Sequence, residues 1–65
     1  MQAPDQVLKT RDGEWTVILW NDQTAQVRHH SRSGFDSDET NRGPLFKTAA
    51  WLTAHNYEFT DLVRS

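Results

Sequence analysis

The run Glu14-Trp15-Thr16-Val17-Ile18-Leu19-Trp20 sets the terms for this chain. Its β-branched and aromatic residues suit a pleated surface. Side chains alternate across a strand, so Trp15, Val17 and Leu19 share one face while Thr16, Ile18 and Trp20 share the other. Both faces are apolar. A chain of 65 residues has little with which to cover the two of them, since a domain this small buries only about 60% of its unfolded surface. One face is left for the N-terminal arm, for a long loop or for another molecule.

The remaining elements arrange themselves around this strand. Asp12-Gly13 predicts a two-residue hairpin turn of type I′, because glycine accepts the positive φ that such a turn needs. It joins Gln6–Thr10 to the apolar run. Asn21-Asp22-Gln23 predicts a second tight turn leading to a third strand, Thr24 to His30. Residues 31–43 are Ser, Gly, Asp, Asn and Arg in character and read as a loop, with Phe35 as its hydrophobic anchor.

Gly43-Pro44 then opens a helix that runs to about His55, with Pro44 at the first helical position, where no amide is needed. Leu45, Phe46, Ala49 and Leu52, with Ala50 or Trp51 at the margin, form its apolar stripe. Asn56 suits a left-handed cap. Tyr57 to Val63 alternates as a fourth strand, with a short helical turn as the alternative at its end. The expectation is an α+β fold of order β-β-β-α-β: a small three- to four-stranded antiparallel sheet with one helix packed on one face. Residues 1–65 form a single domain, 1–5 being a flexible arm.

Bulk properties narrow the function. Cysteine is absent, which excludes disulfides and thiolate metal sites and suits a reducing cytoplasm. The opening "MQAPDQ" lacks the basic and apolar regions of a secretory signal. Val17-Ile18-Leu19-Trp20 is too short to span a bilayer, so a soluble chain with no membrane partner is expected. A formal charge of −2 argues against bulk electrostatic capture of nucleic acid.

Within this mildly acidic chain, "QVRHHSR" (residues 26–32) holds two arginines and two adjacent histidines with no acid among them. On a strand, Val27 and His29 join Ala25 on the helix side, while Gln26, Arg28 and His30 point the other way. His29 and His30 therefore cannot easily share one ion, and no helical metal-binding spacing exists, so no metal is expected. Asp36-Ser37-Asp38-Glu39 begins like a calcium loop but lacks its glycine and its closing glutamate. A Ser/His/Asp set can be drawn from Ser31 or Ser33, His55 and Asp36, yet no nucleophile elbow or phosphate loop accompanies it. The chain is read as non-catalytic and free of cofactors.

What remains is a binding surface. If Ile18 and Trp20 lie beside Arg28 and His30, the face opposite the helix mixes aromatic, aliphatic and cationic groups, the chemistry that interfaces favour. Ile18 and Trp20 form its expected centre, with Arg28, His30 and Arg32 on its rim. The expected occupant is a larger protein that the chain regulates, inhibits or adapts. A second copy in a homodimer and a nucleic acid are the other occupants weighed.

For the nucleic acid there is a specific pattern. The stretch "DGEWTVILWND…GFDSDETNRGPLFKTAAWL" resembles the arm-type DNA-binding domains of phage integrases and the plant AP2 domains. In those, a Gly-aromatic strand opens a three-stranded sheet and a Phe-x-Thr turn leads into a helix ending in Ala-Trp-Leu. The resemblance implies DNA read by a basic sheet face. This chain departs from the pattern there, since Arg28, Arg32 and Arg11 are the cations on offer, and the acids at 36–39 would repel phosphates.

Overall fold

The computed structural model describes residues 3–31 and 33–64. Its strands are β1 (Gln6–Thr10), β2 (Trp15–Leu19), β3 (Thr24–His30), β4 (Asp36–Asp38), β5 (Gly43–Pro44) and β6 (Leu62–Arg64), with helix α1 at Leu45–Ala54 and a 3₁₀ turn at Phe59–Asp61. The α+β class with one helix agrees with expectation. The strand number does not: the antiparallel sheet has six strands, ordered β4-β3-β2-β1-β6, with β5 pairing β3 alongside β4. Among the described residues no helix is long and apolar enough to cross a membrane.

The additional strands come from segments of low β-propensity. Asp36-Ser37-Asp38, within the stretch expected to be a loop, pairs Asp38 with Arg28 and Asp36 with His30. Beyond β4 the chain bulges, and Thr40 bridges the bulge. Its hydroxyl accepts the Val27 N–H at 3.0 Å, while Glu39 and Thr40 both donate their N–H groups to the Val27 carbonyl, at 2.9 and 3.1 Å. Gly43 and Pro44 then rejoin β3 opposite Ala25 and Thr24. Pro44 is extended, with φ −57° and ψ 145°, so the helix starts one residue later than expected. Phe35 is no anchor. It stands 78% exposed at the tip between β3 and β4.

The first hairpin also differs from a two-residue type I′ turn. Arg11 to Glu14 form a longer connection, held by the buried Thr10 side chain. Its hydroxyl donates to Asp12 Oδ1 at 2.6 Å and accepts the Trp15 N–H at 3.1 Å. Gly13, with φ +74°, supplies the left-handed residue that the turn requires. At the chain's start, in the segment expected as a flexible arm, Asp5 donates its N–H to the Leu19 carbonyl at 2.8 Å.

The core is small. Val17 and Val27 face each other across β2 and β3, and Leu52 of α1 covers both; all three are almost wholly buried. Burying each such side chain contributes about 1.5–3 kcal/mol. Leu8, Trp15, Leu19, Trp51, Tyr57 and Leu62 pack around them. The stripe of α1 runs through Thr48, Trp51 and Leu52, while Leu45 and Phe46 are 39% and 70% exposed. Leu45 starts the helix beside Gln23, donating its N–H to the Gln23 carbonyl at 3.1 Å. At the other end, Asn56 takes φ +64°. Tyr57 N–H reaches the Leu52 carbonyl at 2.8 Å and Asn56 N–H reaches the Thr53 carbonyl at 3.1 Å. These are the paired hydrogen bonds of a Schellman cap, with Tyr57 packed back on Leu52. The chain crosses the sheet in α1 and returns as β6 beside β1.

Thr10→Val keeps the volume at this site but strands the Trp15 N–H and one acceptor of Asp12. The expected loss is about 1–3 kcal/mol in urea unfolding, with the slope unchanged. No loss would show that the side-chain clamp is dispensable.

Candidate interaction surface

The register assigns every strand residue to a face. Toward α1 lie Leu8, Val17 and Val27, flanked by Trp15, His29, Leu19 and Ala25. On the opposite face one row runs Val63, Lys9, Thr16, Arg28, Asp38, and the next runs Val7, Ile18, Gln26. No helix covers this second face among the described residues. Val7 and Val63 are 37% and 47% exposed on it, and Ile18, opposite Val7 on β2, is half-buried.

The basic strip now has its explanation. Arg28 Nε lies 3.0 Å from Asp38 Oδ1, and His30 Nδ1 lies 2.6 Å from Asp36 Oδ1. The acids of β4 meet the outward basic residues of β3, one row each. The Arg28 contact is Coulombic rather than a hydrogen bond, because its Nε–H is not aligned on an acceptor. Both pairs are partly solvated, so they fix pairing register more than they add stability. The hydrogen bond from His30 is the largest influence and holds the Asp36 carboxyl below its ordinary value; desolvation opposes it, and the fields of His30, Arg28 and Lys9 add lesser downward effects.

His29, facing inward, belongs to another group. Its ring centre lies 4.7 Å from that of Trp15, which meets Trp51 edge-on at 4.8 Å. Trp51 in turn stacks on His55 at 3.8 Å. Glu14 approaches His29 Nε2 at 3.7 Å. This aromatic–imidazole row extends the core past Val17 and Val27.

Trp20 continues the parity of Ile18 onto the open face, at its far end, and is half-buried there. Its cover is Arg42, whose guanidinium carbon stands 4.0 Å from the ring centre. Arg42 also binds Asp22 Oδ2 at 2.8 Å and donates from Nε to the Thr24 hydroxyl at 2.9 Å. The Thr24 hydroxyl, chiefly, and Arg42 hold the Asp22 carboxyl below its ordinary value.

Of the expected site residues, Ile18, Trp20, Arg28 and His30 fall on one face, and Arg32 lies outside the described residues. The reading from sequence missed Val7, Lys9 and Val63 on that face, and Arg42 over Trp20. The alternation Gln6-Val7-Leu8-Lys9 carried a signal for the first two. Arg42 had none, because it meets Trp20 across twenty-one intervening positions of loop and strand.

The alternative chemistries are not assembled. Ser31 Oγ donates to the Phe35 carbonyl at 2.7 Å, Asp36 holds His30, and His55 Nδ1 contacts the Trp51 carbonyl at 2.8 Å, so the three do not form a relay. Among the described residues no three His, Asp or Glu side chains converge as a metal would require. The sheet is six-stranded where the arm-type and AP2 resemblance implies three strands. No family model, curated protein or solved structure matches this chain.

Hydrogen bonds to hydroxyls also depress Asp12, bonded by Thr10 and by Tyr57 at 2.7 Å. For Asp12, Asp22 and Asp36 the unfolded chain therefore takes up protons at higher pH than the folded one. Stability is full above the ordinary Asp value of about 3.8 and is lost as pH falls through the lower folded values. Melting temperature should drop below about pH 4, and Asp12→Asn should make that drop shallower. An unchanged acid limb in Asp12→Asn would contradict the assignment.

Proposed function

We propose that this chain is a non-catalytic protein-interaction module that docks through the uncovered sheet face, with Ile18 and Val7 at its apolar centre. Trp20 bounds that centre at one end. The Arg28–Asp38 and His30–Asp36 pairs rim it along β3 and β4, and Lys9 and Val63 rim it toward β6. The reading rests on one observation above the others: a six-stranded sheet carries apolar residues on both faces, and its helix packs on one of them. Groups that alternate between aliphatic and charge-paired suit a protein surface with its own mixture of apolar side chains and hydrogen-bonding groups. A regulator, inhibitor or adaptor acting on a larger protein fits this chemistry.

The charge arrangement counts against nucleic acid. Phosphate binding draws on cations free to displace counterions. Here Arg28 faces Asp38, His30 faces Asp36, and Arg42 is held by Asp22.

The test is affinity capture from a lysate of the encoding organism, using the intact chain, Ile18→Glu and Phe46→Ser. Circular dichroism would first confirm that both variants fold. The reading expects a stoichiometric protein partner that survives nuclease and moderate salt, is lost with Ile18→Glu and is kept with Phe46→Ser on the helix side. Trp20→Ala should weaken capture more than it lowers the melting temperature, and Trp51→Ala the reverse. Retention that disappears with nuclease, or a partner that Ile18→Glu still holds, would overturn it.

A further inference from the structure

The other side of the molecule holds a groove that the sheet-face reading does not use. It has a volume of about 280 Å³ and lies where α1 meets β3, β5 and the segment before β5; Thr40, Arg42, Pro44, Lys47, Thr48 and Trp51 line it. Three features of its lining point to one kind of ligand.

The first is Thr48. It is 3% exposed, and its hydroxyl has no hydrogen-bond partner among the described residues. The oxygen is not sealed off from solvent either, so it opens on the groove that Thr48 lines. Reaching solvent through the groove, this hydroxyl is placed to donate to a ligand's acceptor there. The second is Lys47. It sits in the first turn of α1, which contains no acid and whose cap position, Pro44, offers no side-chain hydrogen bond. A cation at the positive end of a helix is locally unfavourable, and it has no ion pair among the described residues. Arg42 lines the same groove, although Asp22 and Thr24 already engage its fork. The third is Trp51. It is half-buried and held at a fixed tilt by Trp15 and His55, and so presents a flat apolar wall. An inorganic oxyanion would use the first two features and leave the wall bare.

We propose that the groove binds a small aromatic carboxylate, with its carboxylate on the Lys47 ammonium and the Thr48 hydroxyl and its ring against Trp51. A cation and a donor on one side with an apolar wall on the other is the usual make-up of a small-molecule site. A ligand of this size in so open a groove should bind with a dissociation constant on the order of 1 mM.

The probe is sodium benzoate, titrated into the ¹⁵N-labelled full chain at constant ionic strength, with benzyl alcohol as the uncharged comparison and inorganic phosphate as the anion without a ring. Saturating shifts are expected at the Gly43, Lys47 and Thr48 amides and at the Trp51 indole N–H. Lys47→Gln should weaken benzoate by at least about fivefold and leave benzyl alcohol unaffected. Thr48→Val should also weaken benzoate, while its melting temperature stays level because the hydroxyl removed makes no hydrogen bond among the described residues. Because Lys47 is exposed, Lys47→Gln decides the matter even if Thr48→Val folds poorly. The proposal is overturned by shifts that never saturate, by equal responses to benzoate and benzyl alcohol, by phosphate binding as tightly as benzoate, or by unchanged affinity in Lys47→Gln.

Discussion

Everything in this fold depends on one apolar contact: Val17 against Val27 across the central strand pair, with Leu52 laid over both. In so short a chain these three side chains, from β2, β3 and α1, leave water almost completely. Its direction decides the rest. Leu52 can cover a single face, so α1 commits to the side of Val17 and Val27. The Trp15–Trp51–His55 row and His29 extend the covered region toward the end of β3. The Schellman cap at Asn56 and the return through β6 then follow from bringing the chain back over that side.

The same commitment leaves Val7, Ile18 and Val63 on an uncovered face. There the sheet is held by polar pairing. Arg28 and His30 meet Asp38 and Asp36, so a basic strand and an acidic edge strand recognise each other row by row. Charged residues on an edge strand also discourage indiscriminate strand pairing. A surface built in this way is apolar in the middle, with basic and acidic side chains paired along its β3–β4 margin. That favours contact with another folded protein over capture of a polyanion.

Local pattern carried much of the architecture. The bounds of β1 and β3, the alternation of β2, the tight turn at 21–23 and the left-handed Asn56 were all legible, because each rests on neighbours within a few positions. What sequence pattern did not reveal rests on distant partners. Asp36-Ser37-Asp38 has no intrinsic reason to be a strand and becomes one by meeting Arg28 and His30. Phe35 looked like an anchor on hydrophobicity alone, yet the β3–β4 pairing carries it out to an exposed tip. The longer first turn follows from the Thr10 side chain standing in for a backbone partner. On the candidate face, parity placed Ile18, Trp20, Arg28 and His30 together. It could not foresee that Arg42 would settle on Trp20, or that β6 would contribute Val63.

The most direct measurement is methyl cross-saturation NMR of the labelled chain bound to its captured protein partner. The account predicts intensity loss at the methyl groups of Val7, Ile18 and Val63, with those of Leu45, Ala49 and Ala50 on α1 unaffected. Loss concentrated on the α1 methyl groups, with Ile18 untouched, would contradict it and move the interface to the helix side.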